Sequence, residues 1–435
     1  MIRPWKRRLR GPDRGVYLLI IQRRPKRFGV NPAFALTPAR RFELIFLFGV
    51  LTVFSPLAID MYLPALPTIA RDFRVSISAI EHSLASYFLG VAIGQAVVGP
   101  VSDRFGRRWP LMVGLGLYAL GSAVCALAPG PLSLDTARFV QAMGGCAGSV
   151  LARACVRDIF PPGEAARIFA QMLLVLSVSP LFAPLFGGWL LLIGSWRDLF
   201  WIQSGLAALT VVALYFRLPE SHAGSDRAIH PLAVMRDYVT IGRDRRFLGY
   251  VMAATLSSAG LFVYLTGWAH VVIDIFHIPA QYFGFTFLAN GIGLIVVSQA
   301  TARLLHHRPA PHLLQWALAA QAFFAAMALL FAWTGWGGIY GLMPWLFLYC
   351  SLVGAVSPTA SGLALMGFGT SAGMASALMG IIVSGGGSIA SLTMGAATPA
   401  TPVPMAALMC LCGVAAMAAN HFWSAPVLEP AAPNR

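Results

Sequence analysis

Residues 99–108 read Gly99-Pro100-Val101-Ser102-Asp103-Arg104-Phe105-Gly106-Arg107-Arg108, and they close an apolar stretch, 80–101, that carries almost no charge. Each residue type has a physical job there. Gly99 lets two helices approach closely, and Gly106 permits a tight turn. Asp103 can face the positive N-terminal end of a neighbouring helix. Arg104, Arg107 and Arg108 hold the loop at a membrane surface where anionic lipid gathers. An ordinary basic loop would explain the arginines alone; it does not explain the Gly-x-x-x-Asp-Arg-x-Gly-Arg-Arg string.

The same pattern of long apolar stretch and short polar loop extends in both directions. The chain has 435 residues, 58% hydrophobic and 11% charged, against about 25% charged in soluble domains. Spans are predicted at 42–66, 80–101, 110–128, 133–156, 167–193 and 199–216, and again at 247–268, 281–303, 312–334, 338–357, 373–397 and 403–424. Each is long enough to cross a bilayer. The fold class is therefore all-α integral membrane, with twelve transmembrane helices in two six-helix halves, 42–216 and 247–424. The charged segment 217–246 links the halves, and tails 1–41 and 425–435 flank them.

Charge placement gives the orientation. The net charge is +15, and residues 1–41 hold 12 of the 31 basic residues with one acid, Asp13. A basic tail beside anionic lipid explains this better than nucleic acid. The run 16–21 is too short to span and precedes arginines rather than a cleavage site, so it reads as tail, not signal peptide. Of the 19 basic residues beyond 41, 14 fall on the side of the termini, three fall opposite (Arg71, Arg74, Arg197), and two lie within spans (Arg138, Arg153). That asymmetry places both termini in the cytoplasm.

Polar residues inside spans are costly and so mark function by default. Span 1 carries Asp60, the only one of the 16 acids well inside a predicted span. Burial disfavours its charged form, a property a proton carrier needs. The bland alternative is an aspartate capping a helix broken between Pro56 and Pro64. Span 4 carries Arg138 and Gln141 before Gly144, Gly145 and Gly148, and ends near Asp158. Asp60 lies ~18 residues into span 1 and Arg138 ~5 residues into the opposite-running span 4, so the 1.5 Å rise puts them at similar depth. They are expected to pair across a cavity; outward snorkelling of Arg138 is the alternative. Arg107 is expected to pair with Asp158, and Asp103 to face the start of span 11 near Gly373. Together these contacts would latch the halves together on the side of the termini. Pro184, Gly187 and Gly188 in span 5 suit a hinge. Tyr62, Gln141 and Tyr264 are candidates to line a substrate cavity, among aromatics that include Tyr87, Phe262 and Trp268.

Other classes find little support. The six cysteines (Cys125, Cys146, Cys155, Cys350, Cys410, Cys412) lie in apolar stretches without ligand spacing. His306, His307 and His312 cluster without acids, so no metal site is expected. No phosphate-binding loop is present, and no cofactor is expected. A membrane enzyme or channel would need a polar cluster that the sequence does not offer.

The stretches LAIDMYLPALP (57–67), GQAVVGPVSDRFGRRWP (94–110), RFVQAMGGCAGSVLARACVRDIF (138–160), PLFAPLFGGWLL (180–191) with SWRDLFW (195–201), and QYFGFTFLANGIG (281–293) together resemble the bicyclomycin-resistance (Bcr/CflA) family of drug:proton antiporters in the major facilitator superfamily. FGTSAGMASALMG (368–380) is similar to the family's span 10–11 region. The resemblance implies the two-half transporter fold and export of small, mostly hydrophobic antibiotics of bicyclomycin, chloramphenicol or sulfonamide type in exchange for protons. It implies a bacterial inner-membrane location, and it places the embedded acid at Asp60, the span 4 arginine at Arg138 and the gating loop at 103–108. The expected partners are a small-molecule drug, protons and lipid, with no nucleic acid, and the chain is expected to act as a monomer. The sequence departs from the pattern in two places. Arg303-Leu304-Leu305-His306-His307-Arg308, the second-half counterpart of the loop, lacks its Asp and Gly, and Ala183 stands where a Gly precedes the proline. A proton-coupled metabolite exporter or an uptake carrier on the same fold is the alternative reading.

Overall fold

The computed structural model describes residues 37–222, 231–368, 372–397 and 401–424. The basic tail before residue 37 and the tail after 424 lie outside them. Twelve long helices account for nearly everything described, and no strand occurs among the described residues. In chain order, spans 1–6 are Pro38–Phe73, Ile77–Phe105, Arg108–Ala126, Pro131–Ile159, Pro162–Ile193 and Trp196–Arg217. Spans 7–12 are Arg245–Ile275, Ala280–Leu304, Ala310–Thr334, Gly338–Leu365, Ala372–Ala396 and Val403–Ser424. Their lengths, 19 residues at the shortest, fall within or above the range that crosses the hydrocarbon core.

Local chemistry sets the ends. Thr37 caps span 1, accepting from the Arg40 amide at 3.3 Å, Ser76 caps span 2 in the same way, and Asp244 caps span 7 at 2.8 Å from the Arg246 amide. Span 1 does not stop at its predicted end. After Asp60 the chain makes a 3-10 turn over Leu63–Ala65 and resumes as a helix over Leu66–Phe73. Pro64 and Pro67 fall at the first turns of these two pieces, where a missing N–H costs nothing. Span 10 runs to Leu365, eight residues beyond prediction, through both Pro344 and Pro358. The linking segment is also less of a loop than expected, since Pro231–Gly242 is a helix.

Glycines let the first half close up. Span 4 is pressed between spans 1, 2 and 3. A Cβ on Gly144 would overlap the Gly114 carbonyl and the Tyr118 amide of span 3, and one on Gly148 would overlap the Leu51 carbonyl of span 1. Backbone cannot yield as a side-chain tip can, so Gly144→Val is expected to cost about 1–3 kcal/mol or more through overpacking. The check is the melting temperature and monodispersity of purified protein; wild-type behaviour in both would refute this account of the packing.

The halves meet unevenly. With both termini at one end of the bundle, the opposite end is here called the far side. There a single apolar core takes residues from both halves, Leu66, Ile69 and Leu84 with Trp268, Val271 and Phe283. At the terminal side each half keeps its own core, one around Leu47, Leu111 and Val156 and the other around Phe247, Val251 and Val356. Spans 2 and 11 run antiparallel across the seam. Ser78 donates to the Gly395 carbonyl, Ser388 donates to the Ala85 carbonyl at 2.9 Å, and Gln95 faces Gly380. The Phe88 and Phe262 rings meet at 4.3 Å. The structure is thus a far-side-closed state.

Candidate functional site

The break in span 1 positions the acid. Asp60 is the last residue of the first helical piece, 5% exposed, and its Oδ2 has no hydrogen-bond donor among the described residues. Arg138, from span 4, is fully buried. Its Nη1 donates to the Ala58 carbonyl at 3.0 Å and to Gln141 Oε1 at 2.7 Å, whereas Nε and Nη2 have no acceptor. Three rings cage the guanidinium, with centroids at 4.3 Å (Tyr87), 4.5 Å (Tyr62) and 5.8 Å (Phe200). A desolvated cation over aromatic faces gains about 2 kcal/mol or more.

The expected ion pair is not formed in this state. No Asp60–Arg138 bridge exists among the described residues; Arg138 instead holds the backbone two residues before Asp60. Arg138 does not snorkel either. The Tyr87 ring lies under Arg138, and its hydroxyl donates to the Ser55 carbonyl at 3.2 Å.

Beyond Arg138 the polar contacts run through the half. Gln141 Nε2 donates to Ser122 Oγ at 2.7 Å and to Gln203 Oε1 at 2.9 Å. Tyr118 donates to the same Gln203 oxygen and to the Phe54 carbonyl, both at 3.1 Å. Spans 1, 3, 4 and 6 are thereby tied to one buried cation. Sequence reasoning missed Tyr118, Ser122 and Gln203. Amides and hydroxyls inside apolar stretches were the available signal, but which spans adjoin is not written in their order.

Of the three residues expected to line a cavity, Tyr264 does so. With Trp268, Thr286, Asn290, Met343 and Phe347 it bounds a largely apolar cavity of about 240 Å³ among spans 7, 8 and 10. Tyr62 and Gln141 do not line it. Both are fully buried, Tyr62 against Arg138 and in a 2.7 Å hydrogen bond with Ser83, Gln141 in the network above. Asp60 is not the only buried acid: Glu81, near the far-side end of span 2, is 1% exposed.

In the loop between spans 2 and 3, Gly106 has φ +84°, and a Cβ there would strike the Glu220 carboxylate at 2.7 Å. Glu220 accepts from the Arg107 and Arg108 amides at 2.7 and 3.2 Å. The Arg107 guanidinium donates to Asp158 (3.0 Å), Asp103 (2.6 Å) and Ser102 (2.6 Å). Arg108 reaches the Tyr215 carbonyl and lies over its ring at 5.5 Å, while Arg104 is exposed. These contacts tie spans 2 and 4 to the segment after span 6, all within one half and its exit. They persist while the far side is closed, so the Arg107–Asp158 pair is a brace, not a contact between halves. Asp103 is otherwise mostly exposed, and Gly373 has nothing within reach of a Cβ. Asp103 does act on the linking helix, where burial and this carboxylate push the Tyr238 hydroxyl above its ordinary value. A double-mutant cycle of Arg107→Ala and Asp158→Asn is expected to give a coupling of about 1 kcal/mol in unfolding, as for a partly screened pair; additivity would remove the brace. Gly187 packs against the Met61 backbone at the span 1 break, and the span 5 helix is unbroken through Pro184, Gly187 and Gly188.

The comparisons with known proteins agree with this architecture. The Major Facilitator Superfamily profile matches residues 48–392. The chain is 36% identical to the uncharacterised transporter YdgK of Bacillus subtilis, over 86% of this chain and 93% of that one. It is 30% identical to a bicyclomycin resistance protein homolog of Haemophilus influenzae, over 88% of this chain and 96% of that one. Two solved structures share the fold at low identity. The nucleoside transporter NupG has a TM-score of 0.70 at 12% identity, over 88% of this chain and 99% of that one. The Escherichia coli xylose transporter XylE, in a partially occluded inward-open conformation, has 0.68 at 15%, over 91% and 99%. The chain belongs to the major facilitator superfamily and is a multi-pass membrane transporter, not an enzyme. Within that superfamily it is of the bicyclomycin-resistance (Bcr/CflA) type.

Proposed function

We propose that this chain exports small hydrophobic compounds of antibiotic type in exchange for protons. It works as a monomer in the bacterial inner membrane with both termini in the cytoplasm. The observation that carries the reading is the pair of incomplete partners near the span 1 break: an acid with a bare oxygen, Asp60, and a buried cation with two bare nitrogens, Arg138. Relatives named for bicyclomycin and multidrug resistance support the class of compound. The asymmetry of basic residues supports the orientation.

Asp60 keeps its proton while Arg138 is held by Ala58 and Gln141. When the halves rock, the short segment 58–60 carries the acid relative to the cage, and the free face of the guanidinium meets the carboxyl. The charged form is then favoured and the proton leaves. The compound is drawn to the apolar cavity around Tyr264 and Trp268, and Asn290 supplies a polar anchor there.

Purified protein in liposomes under an imposed pH gradient tests the reading. A radiolabelled hydrophobic antibiotic such as chloramphenicol should move toward the acidic compartment, since protons leaving it drive the exchange. Flux that is equal with and without the gradient would sink the antiport reading and favour a facilitated carrier.

A further inference from the structure

Glu81 lies near the far-side end of span 2, fully covered, with Oε2 lacking a donor among the described residues. Its position is the seam between the halves. One turn earlier Ser78 bonds the Gly395 carbonyl of span 11, and a Cβ on Gly395 would stand 3.4 Å from the Glu81 Cβ and 3.2 Å from His82. From span 7 comes His270, whose Nδ1 lies 3.1 Å from Asp274 Oδ2. Glu81 belongs to the first half and Gly395 to the second, so the acid is covered because the far side is closed.

The other groups on the packed elements are few. Span 4 brings Asp135, which acts on His82, and Arg138, which is occupied by its cage. The segment Leu66–Phe73 brings Arg71, on the Pro67 carbonyl, and Asp72, which is held by Arg197 at 2.7 Å and Trp196 at 3.0 Å. Span 3 ends on buried Cys125. Span 11 carries no titratable residue between Ala372 and Ala396. None of the groups from these other elements neutralises Glu81 with a salt bridge among the described residues.

We propose that Glu81 is a second protonation site that takes up one proton when the far side closes. The inference rests on the proton-coupled reading of the transporter. With the halves parted, the glutamate faces water and is charged near neutral pH. Sealing a lone carboxylate between apolar walls is costly. Closure is far easier with the carboxyl neutral. The closed state holds one proton more than the open one, taken from far-side water onto a carboxyl oxygen. Because the closed state binds the extra proton, closure is favoured at low pH and lost as pH rises, by up to about tenfold in the closed-to-open ratio per pH unit.

Spin labels at Leu132→Cys and Thr334→Cys, exposed positions on the far side of opposite halves, report closure in nanodiscs by distance measurement. Between about pH 6 and 9 the wild-type pair is expected to shift from the short toward the long distance. Glu81→Gln, which keeps shape without charge, should stay closed throughout; His270→Gln should keep a pH response through the Glu81 carboxyl. A Glu81→Gln response equal to wild type, or a wild-type distance that ignores pH, overturns the proposal. Gradient-driven transport by the same preparations separates the two failures. If transport needs the gradient while closure ignores pH, only the Glu81 site is wrong; if transport ignores the gradient too, the antiport reading itself has failed.

Discussion

Arg138→Ala is expected to abolish transport and to lower the stability of the solubilised protein by about 3–5 kcal/mol, the range for breaking a buried charged network. Two losses add. The guanidinium and its contacts with Tyr62, Tyr87 and Phe200 leave a void among large rings, and Gln141 Oε1 and the Ala58 carbonyl lose their donor. Arg138→Lys keeps the charge but not the planar, delocalised guanidinium that lies between aromatic faces. It is expected to recover part of the stability and little of the transport. Thermal unfolding of the three proteins in one detergent, with antibiotic flux in liposomes, decides this. An Arg138→Ala protein that melts like wild type would show that the network does not hold spans 1, 3, 4 and 6 together.

The second large effect is expected from Asp60→Asn. The amide fills the same space and cannot lose a proton, so gradient-driven antibiotic flux should fall to the level of empty liposomes. Exchange of labelled for unlabelled antibiotic with no gradient should continue, because the fold and the cavity around Tyr264 are untouched. Proton release on antibiotic addition, followed with a pH indicator, should vanish in the same variant. If Asp60→Asn still moves antibiotic up a gradient, coupling resides elsewhere, and Glu81 becomes the first candidate.

Residues 99–108 together with the spacing of apolar stretches were enough to state the class, the number of spans and the two halves. The physical reason is that lipid leaves no other solution: a span must be apolar, about 20 residues long and internally hydrogen-bonded, and each of these is a local property. Asp60, Arg138 and Gly106 were legible for the same reason, since a charge in hydrocarbon or a glycine in a tight loop announces itself locally. What depended on which helices adjoin was not legible. That Arg138 holds a backbone carbonyl and three rings, that Gln141 and Tyr62 serve the arginine instead of lining a cavity, and that Gln203 and Tyr118 complete the network all follow from spans 1, 3, 4 and 6 meeting at one depth. Glu81, near the end of span 2, carries no such local sign; only the approach of span 11 from the other half encloses it. Side-chain chemistry along one helix is written in the sequence, whereas the partner across the seam is fixed by long-range packing of glycine faces and by the state in which the two halves have closed.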